Sequence, residues 1–220
     1  MANYLIHTCK ERLWYVNDYL IPSMVKQGID RRHIAIQADI LKRGNLENCM
    51  QAFMECRSDG GTWHLQDDVL IRRDFKEQTE RLDDGIVCGI ATRYDRDRTD
   101  KIGNVTVDGM WYSFPCIRIP NEIARGCAEW YYSQIVNNPV YAAKVKEQKH
   151  DDEIFRMYVK LKCKNIQIIN AVPNLVEHID WLIGGSIVNT HRSDRVQALY
   201  FNDDELVKEW EVKLNAVDHN

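Results

Sequence analysis

The chain has 220 residues, 45% of them hydrophobic and 28% charged, with only 11 Gly and 5 Pro, which excludes a disordered or fibrous protein. Twenty-nine Lys and Arg against 33 Asp and Glu leave a net charge of -4, which excludes a strongly basic nucleic-acid-coating protein but not a local basic patch. No run approaches the roughly 18 apolar residues that span a bilayer, and Met1 to His7 lacks a secretory signal's basic start and long apolar run, so a soluble cytoplasmic chain is expected.

Tyr4 to Thr8 reads as a strand. A helix follows from near Lys10, with Leu13, Val16 and Leu20 at helical spacing until Pro22 kinks it or opens a second segment. Ile34 to Ala38 is the next strand candidate, ending at Asp39. Asn45 can cap a helix with the inner stripe Leu46, Cys49, Met50, Phe53 and Met54, and Gly60-Gly61 then breaks the chain. Thr62 to Leu65 forms a third strand that runs into Gln66-Asp67-Asp68. Strand and helix alternating at this spacing predict an α/β sheet with parallel core strands.

Gly85 to Ala91 supplies a fourth β-rich segment. Asn104 to Asp108 and Met110 to Phe114 flank Asp108-Gly109, the signature of a hairpin excursion. Asn121 caps a helix through Ile135 with Ile123, Cys127, Trp130 and Tyr131 inward, and the polar, lysine-bearing stretch 137–150 reads as a mobile loop. A helix over Asp152 to Lys162 follows, with Ile154, Phe155, Tyr158 and Val159 among its face-defining residues. Asn165 to Val172 is the last strand, halted by Pro173, and Asp203 to Lys213 is an acidic amphipathic helix. The expected organisation is one catalytic domain over 1–200 with the helix of 201–220 packed on it.

Seven cysteines, none in a Cys-x-x-Cys pair, offer neither a zinc knuckle nor a redox dithiol, and several sit in apolar patterns as reduced thiols do. No Gly-x-Gly-x-x-Gly, Walker A loop or Gly-x-Ser-x-Gly elbow occurs. Carboxylates and histidines remain. Of the four Asp-Asp pairs, Asp67-Asp68 alone closes an apolar strand, at the sheet edge where open α/β sheets bind ligands. Like charges against an apolar wall are costly unless a cation offsets them, and a hard divalent ion bridging a ligand's phosphates would do so. The other reading is a strand-end turn with two solvated acids. His178, beyond the last strand and before Gly184-Gly185-Ser186, is either a hydrogen-bonded structural residue or a ligand.

Leu65-Gln66-Asp67-Asp68-Val69 resembles the Asp-x-Asp region of GT-A glycosyltransferases, in the Leu-Glu-Asp-Asp form of the lipooligosaccharide and collagen galactosyltransferase type and of small phage-encoded glycosyltransferases. Asn170 to Ile179, followed by Gly185-Ser186-Ile187-Val188-Asn189, is similar to the segment that delivers the C-terminal metal-binding histidine in those enzymes. The ordered set covers about residues 4 to 190. It implies a GT-A-like, Rossmann-like fold: a mixed, mainly parallel sheet flanked by helices. It also implies a metal-dependent transfer of a sugar from a nucleotide-sugar donor, most simply a UDP-sugar, to a saccharide hydroxyl or, in phage relatives, to a hydroxymethylated DNA base.

The resemblance implies roles residue by residue. Asp68 and His178 would bind manganese or magnesium, and Asp67 would touch the ribose or a metal-bound water. Thr8, Arg12 and Asp39 would contact the donor nucleotide, although a helix-capping Thr8 and a surface Arg12 are open alternatives. Gln66 stands where the family commonly has an acid, which lowers the site's negative charge and favours, as the alternative, a catalytically inactive relative that binds a nucleotide-sugar or nucleic acid. Asp151 or Asp152 would be the general base, or would cap the helix that they open. Trp111 and Tyr112 would form an aromatic acceptor wall, or half-buried core. A phosphoesterase would need a second metal about 4 Å from the first, and no spare ligand cluster accompanies the strand end.

Overall fold

The computed structural model describes residues 3–56, 59–82, 84–90, 105–106, 114–140, 151–164, 166, 168–185, 198 and 200–216. Strand β1 (Asn3–Cys9) leads into a composite helix α1, which opens as a 3-10 turn (Lys10–Arg12), becomes α-helical (Leu13–Tyr15), widens to a π turn (Val16–Leu20) and resumes as α-helix (Ile21–Lys26). Pro22 falls in the first turn of that last piece, where its missing N–H is tolerated, directly after the widened turn. There follow β2 (Ile34–Asp39), α2 (Asn45–Glu55), β3 (Gly61–Gln66), β4 (Val69–Ile71), α3 (Phe75–Arg81), β5 (Ile86–Cys88) and β6 (Val105–Thr106). The remainder is β7 (Cys116–Pro120), α4 (Asn121–Trp130) with a π turn over Tyr131–Ile135, α5 (Asp151–Lys162), β8 (Ile168–Asn170), β9 (Val176–His178) and α6 (Asp204–Asn215).

Seven strands form one sheet in the order β2-β1-β3-β7-β5-β8-β6, and β4 and β9 form a separate two-stranded ladder. β1 pairs in parallel with β2 and β3, and β5 with β8, whereas β7 runs antiparallel to β3 and β5, and β6 to β8. The sheet is thus mixed, with five strands in one direction, as expected. Side chains alternate across it. Tyr4, Ile6, Trp63, Leu65 and Val87 pack with α1 and the C-terminal helix residues Trp210 and Leu214. Ile86, Cys88, Ile117 and Ile119 pack on the other face with Cys49 and Phe53 of α2, Cys127 of α4 and Phe155 of α5. Burial on this scale, worth about 1.5–3 kcal/mol for each large apolar side chain, holds helices on both faces.

The structure corrects several expectations. Asn45 and Asn121 are first helical residues rather than caps; Gly44 and Pro120 precede them, and neither helix has a side-chain cap bond. Asn121 is instead spent on Asp59 O at 2.9 Å and the Thr62 hydroxyl at 2.8 Å. Met54 is 43% exposed and does not belong to the inner stripe of α2. The strand placed over Asn165 to Val172 is only Ile168–Asn170, and a further strand, β9, follows it after Pro173. β6 pairs with β8, while the Asp108-Gly109 turn of the expected hairpin and most of the expected 137–150 loop lie outside the described residues. Among the described residues no helix is long and apolar enough to cross a membrane.

Candidate functional site at the carboxyl edge of the sheet

At the carboxyl ends of β1, β2 and β3 lies a cleft of about 370 Å³. Thr8, Arg12, Asp39, Gln66, Asp67 and Asp68 all line it, so five predicted donor- or metal-side residues, with Gln66, come together there. The ladder of β4 with β9 brings the sixth. Val69 pairs with His178, and Ile179 N donates to Asp68 O at 2.8 Å, so the residue before β4 and the residue ending β9 are neighbours. His178 Nε2 lies 3.3 Å from Asp68 Oδ2, and its Nδ1 lies 3.5 Å from Asp180 Oδ1.

The cation offsetting the two carboxylates in the structure is Arg12. Its Nη1 donates to Asp67 Oδ1 at 2.9 Å and to Asp68 Oδ2 at 2.8 Å, and its Nη2 donates to Gly185 O. At 4% exposure it is no surface arginine. Burial opposes the charge of Arg12, but the two aspartates more than restore it and hold the guanidinium firmly protonated. Burial likewise works against Asp68, yet His178 and Arg12 hold its carboxyl well below the usual range. Asp67 is pushed the other way, by burial first and then by the charge of Asp68. For His178 burial favours the neutral ring, and the Asp68 charge overturns this, raising the imidazole to about 9.

The remaining predicted residues fall into three groups. Asp39 lines the cleft, but its Oδ1 and Oδ2 accept Arg43 N at 2.8 Å and Gly44 N at 2.7 Å, so it shapes the loop that enters α2 through the left-handed Gly44 (φ +101°). Thr8 donates to Cys9 O at 3.2 Å and caps no helix; Cys9 holds the cap position, without a side-chain bond. Asp151 and Asp152 do not line the cleft. Asp151 is buried at the first turn of α5 and hydrogen-bonds to Asn45, which does line it. Burial, then the Asp152 charge, raises the Asp151 carboxyl to about 7. Trp111 and Tyr112 lie outside the described residues.

Sequence reasoning missed His7, His64 and Asn48. His7 lines the cleft and its Nε2 meets His64 Nδ1 at 2.9 Å. Asn48 donates to Gln37 O at 3.2 Å and Thr8 O at 3.4 Å and accepts from Gln37 Nε2 at 3.2 Å, tying α2 to the ends of β1 and β2. The available signal was a histidine on the alternating pattern of each of two strands, which by itself reads as core.

Asp68 and His178 offer the donor types a manganese-like ion accepts, a carboxylate oxygen and an imidazole nitrogen. Asp68 Oδ1 is buried without a hydrogen-bond partner, an orphan that a cation would satisfy. Among the described residues no three His, Cys, Asp or Glu converge on one point.

No protein-family model matches the chain, and no curated relative does. Among solved structures, it is similar to a protein assigned as a glucose-1-phosphate thymidylyltransferase from Bacillus anthracis (7% identity, TM-score 0.47, covering 100% of this chain and 98% of that one). It is also similar to a galactosyltransferase in complex with donor and acceptor sugar analogues (11%, TM-score 0.41, 98% and 98%). A third is a glycosyltransferase involved in glycosylating the major capsid of PBCV-1 (13%, TM-score 0.42, 98% and 100%). At these identities no residue role passes from them to this chain.

Proposed function

We propose that the protein transfers a sugar from a nucleotide-sugar donor to an acceptor hydroxyl. The observation that carries this reading is the meeting of Asp68 and His178, 3.3 Å apart, at the carboxyl edge of the sheet beside a cleft able to hold a nucleotide. In it the donor diphosphate lies toward Arg12 and Asp68, and the nucleoside lies over the ends of β1 and β3. Asp68 and His178 would hold a divalent ion, manganese in preference to magnesium because one donor is an imidazole. Such an ion would supply Lewis-acid neutralisation of charge on the departing diphosphate, on the order of several kcal/mol of barrier.

The chain's own residues divide the remaining work. The bond from the anomeric carbon to the diphosphate oxygen breaks, its electron pair leaving with the nucleoside diphosphate. The acceptor oxygen bonds that carbon and releases its proton to a carboxylate. The candidates are Asp151 and Asp152 at the start of α5, of which Asp151, raised to about 7 by burial, is partly ionised at neutral pH. Its link to Asn45 on the cleft wall supports the assignment. Arg12 orients Asp67 and Asp68, favours the ionised form of Asp68, and opposes the burial that raises Asp67.

One observation favours a second reading. Arg12 already neutralises the carboxylates without a metal, as a nucleotide-sugar binder that performs no chemistry would need. Calorimetry with UDP, with and without manganese, together with slow hydrolysis of a panel of UDP-sugars, separates the two. Binding enhanced by manganese and measurable hydrolysis, both lost by at least 100-fold in Asp68→Ala, support the transferase. Metal-indifferent binding without hydrolysis supports the binder, and turnover unchanged in Asp68→Ala removes the transferase reading as stated.

A further inference from the structure

The floor of the cleft carries two polar side chains, each with a hydrogen-bonding atom that no protein group satisfies. His7 on β1 and Gln66 on β3 are register partners in the parallel pairing, so they project side by side on one face. Both line the cleft. His7 spends Nε2 on His64, and its Nδ1 has no protein partner and is not sealed from the cleft; the Gln66 side-chain amide is in the same state.

The direction of the hydrogen bonds behind His7 follows from the end of α2. Cys56 N turns to Phe53 O at 3.3 Å, and Cys56 S–H donates to the carbonyl of Ala52 at 3.6 Å, a group that only accepts. With its proton spent there, Cys56 Sγ accepts from His64 Nε2, 4.0 Å away. A neutral imidazole has one N–H, so His64 Nδ1 is then an acceptor, and at 2.9 Å it takes the proton of His7 Nε2. His7 Nδ1 is left with a lone pair toward the cleft. Both rings are neutral, because burial drives His7 down to about 4, and burial, with the neighbouring His7, holds His64 well below the usual imidazole range. Phe53 packs edge-on to the His64 ring at 5.0 Å and holds its plane.

We propose that His7 and Gln66 read the hydrogen-bonding edge of the donor's nucleobase and select a ring N–H beside a carbonyl. His7 Nδ1 accepts from the ring N–H, and the Gln66 amide N–H donates to the neighbouring carbonyl oxygen. Uracil, thymine and guanine share that edge; cytosine and adenine present a bare ring nitrogen beside an amino group. His64 is a positioning residue that fixes the His7 tautomer. This gives the glutamine in the acidic strand-end motif a task of its own. The inference rests on the nucleotide-sugar reading above, and it assigns a neutral wall to the neutral part of the ligand.

The test is calorimetry of the full chain with UDP, dTDP, GDP, CDP and ADP, one at a time. At least one of UDP, dTDP and GDP should bind ten-fold or more tighter than both CDP and ADP, the difference that one hydrogen bond of about 1.4 kcal/mol makes. Which of the three binds best distinguishes pyrimidine from purine donors. His7→Leu should weaken the preferred nucleotide about ten-fold and leave CDP and ADP unchanged. His64→Leu should lose the preference, and His64→Asn, which restores an acceptor near Nδ1, should keep it. Equal binding of all five, or a preference for CDP or ADP, overturns the inference in the wild-type protein, whether or not the variants fold. A preference untouched in folded His7→Leu overturns it while leaving the nucleotide site intact. Binding of none of the five overturns the nucleotide-sugar reading as well.

Discussion

The two ends of the cleft bury polar groups to similar depth and satisfy them in opposite ways. At one end Arg12 and His178 meet Asp67 and Asp68 as ions. At the other, His7 and His64 stay neutral, each donating its single N–H along a chain that runs through Cys56 to a helix carbonyl. Desolvation acts on all of them; what differs is whether an opposite charge stands near enough to outweigh it. A cleft built this way presents ions to one part of a ligand and directed, uncharged hydrogen bonds to another.

The largest break in that contrast comes from Arg12→Met. It leaves buried Asp67 without its counter-charge and Asp68 with His178 alone, and urea unfolding should show a loss of about 3–5 kcal/mol. The double variant Arg12→Met with Asp67→Asn should recover part of the loss.

Next in size is the pH dependence. The folded imidazole of His178 sits at about 9 against about 6.5 unfolded, so its contribution is complete below pH 6.5 and disappears as the pH rises through 9. His178→Gln in chelator-treated buffer should therefore cost up to about 3 kcal/mol at pH 6 and far less at pH 9.5. His7 and His64 have the opposite sign. Their folded values lie below the unfolded one, so the unfolded chain takes up protons first and stability falls as the pH drops from 6.5 toward 4. His64→Leu should flatten this acid limb in thermal melts and leave the alkaline limb alone. An acid limb as steep as before would mean that the pair is not neutral.

The smallest effect expected is a gain. Asp151 is buried and raised from 3.8 to about 7, so its titration costs stability progressively as the pH rises between those values, and the cost is complete above 7. Asp151→Asn should raise the melting temperature at pH 8 by about 2–4 °C, with the gain shrinking toward pH 5. The same variant should abolish transfer if Asp151 is the base.

Much of the sheet was legible beforehand. The apolar runs at Tyr4, Ile34 and Thr62, each bounded by polar or glycine residues, became β1, β2 and β3 with small shifts. The caps were misread at Asn45 and Asn121 because Asn is favoured both as a cap and in side-chain contacts to distant backbone, and its local sequence does not distinguish the two. β9 escaped because Val176-Glu177-His178 has no periodicity long enough to signal a strand. Asp67-Asp68 stood out because two acids ended an apolar strand, whereas His7 and His64 looked like ordinary alternating core.

The sequence by itself determined which segments alternate as strand and helix, and that an acidic pair must sit at a sheet edge, because both follow from side-chain periodicity within a few residues. Only the tertiary structure decided that His178 reaches Asp68, that the counter-charge is Arg12, and that His7 and His64 meet behind the cleft. Each of those depends on strand pairing between distant segments and on burial deep enough to make charge and proton position matter, and neither is written in local spacing.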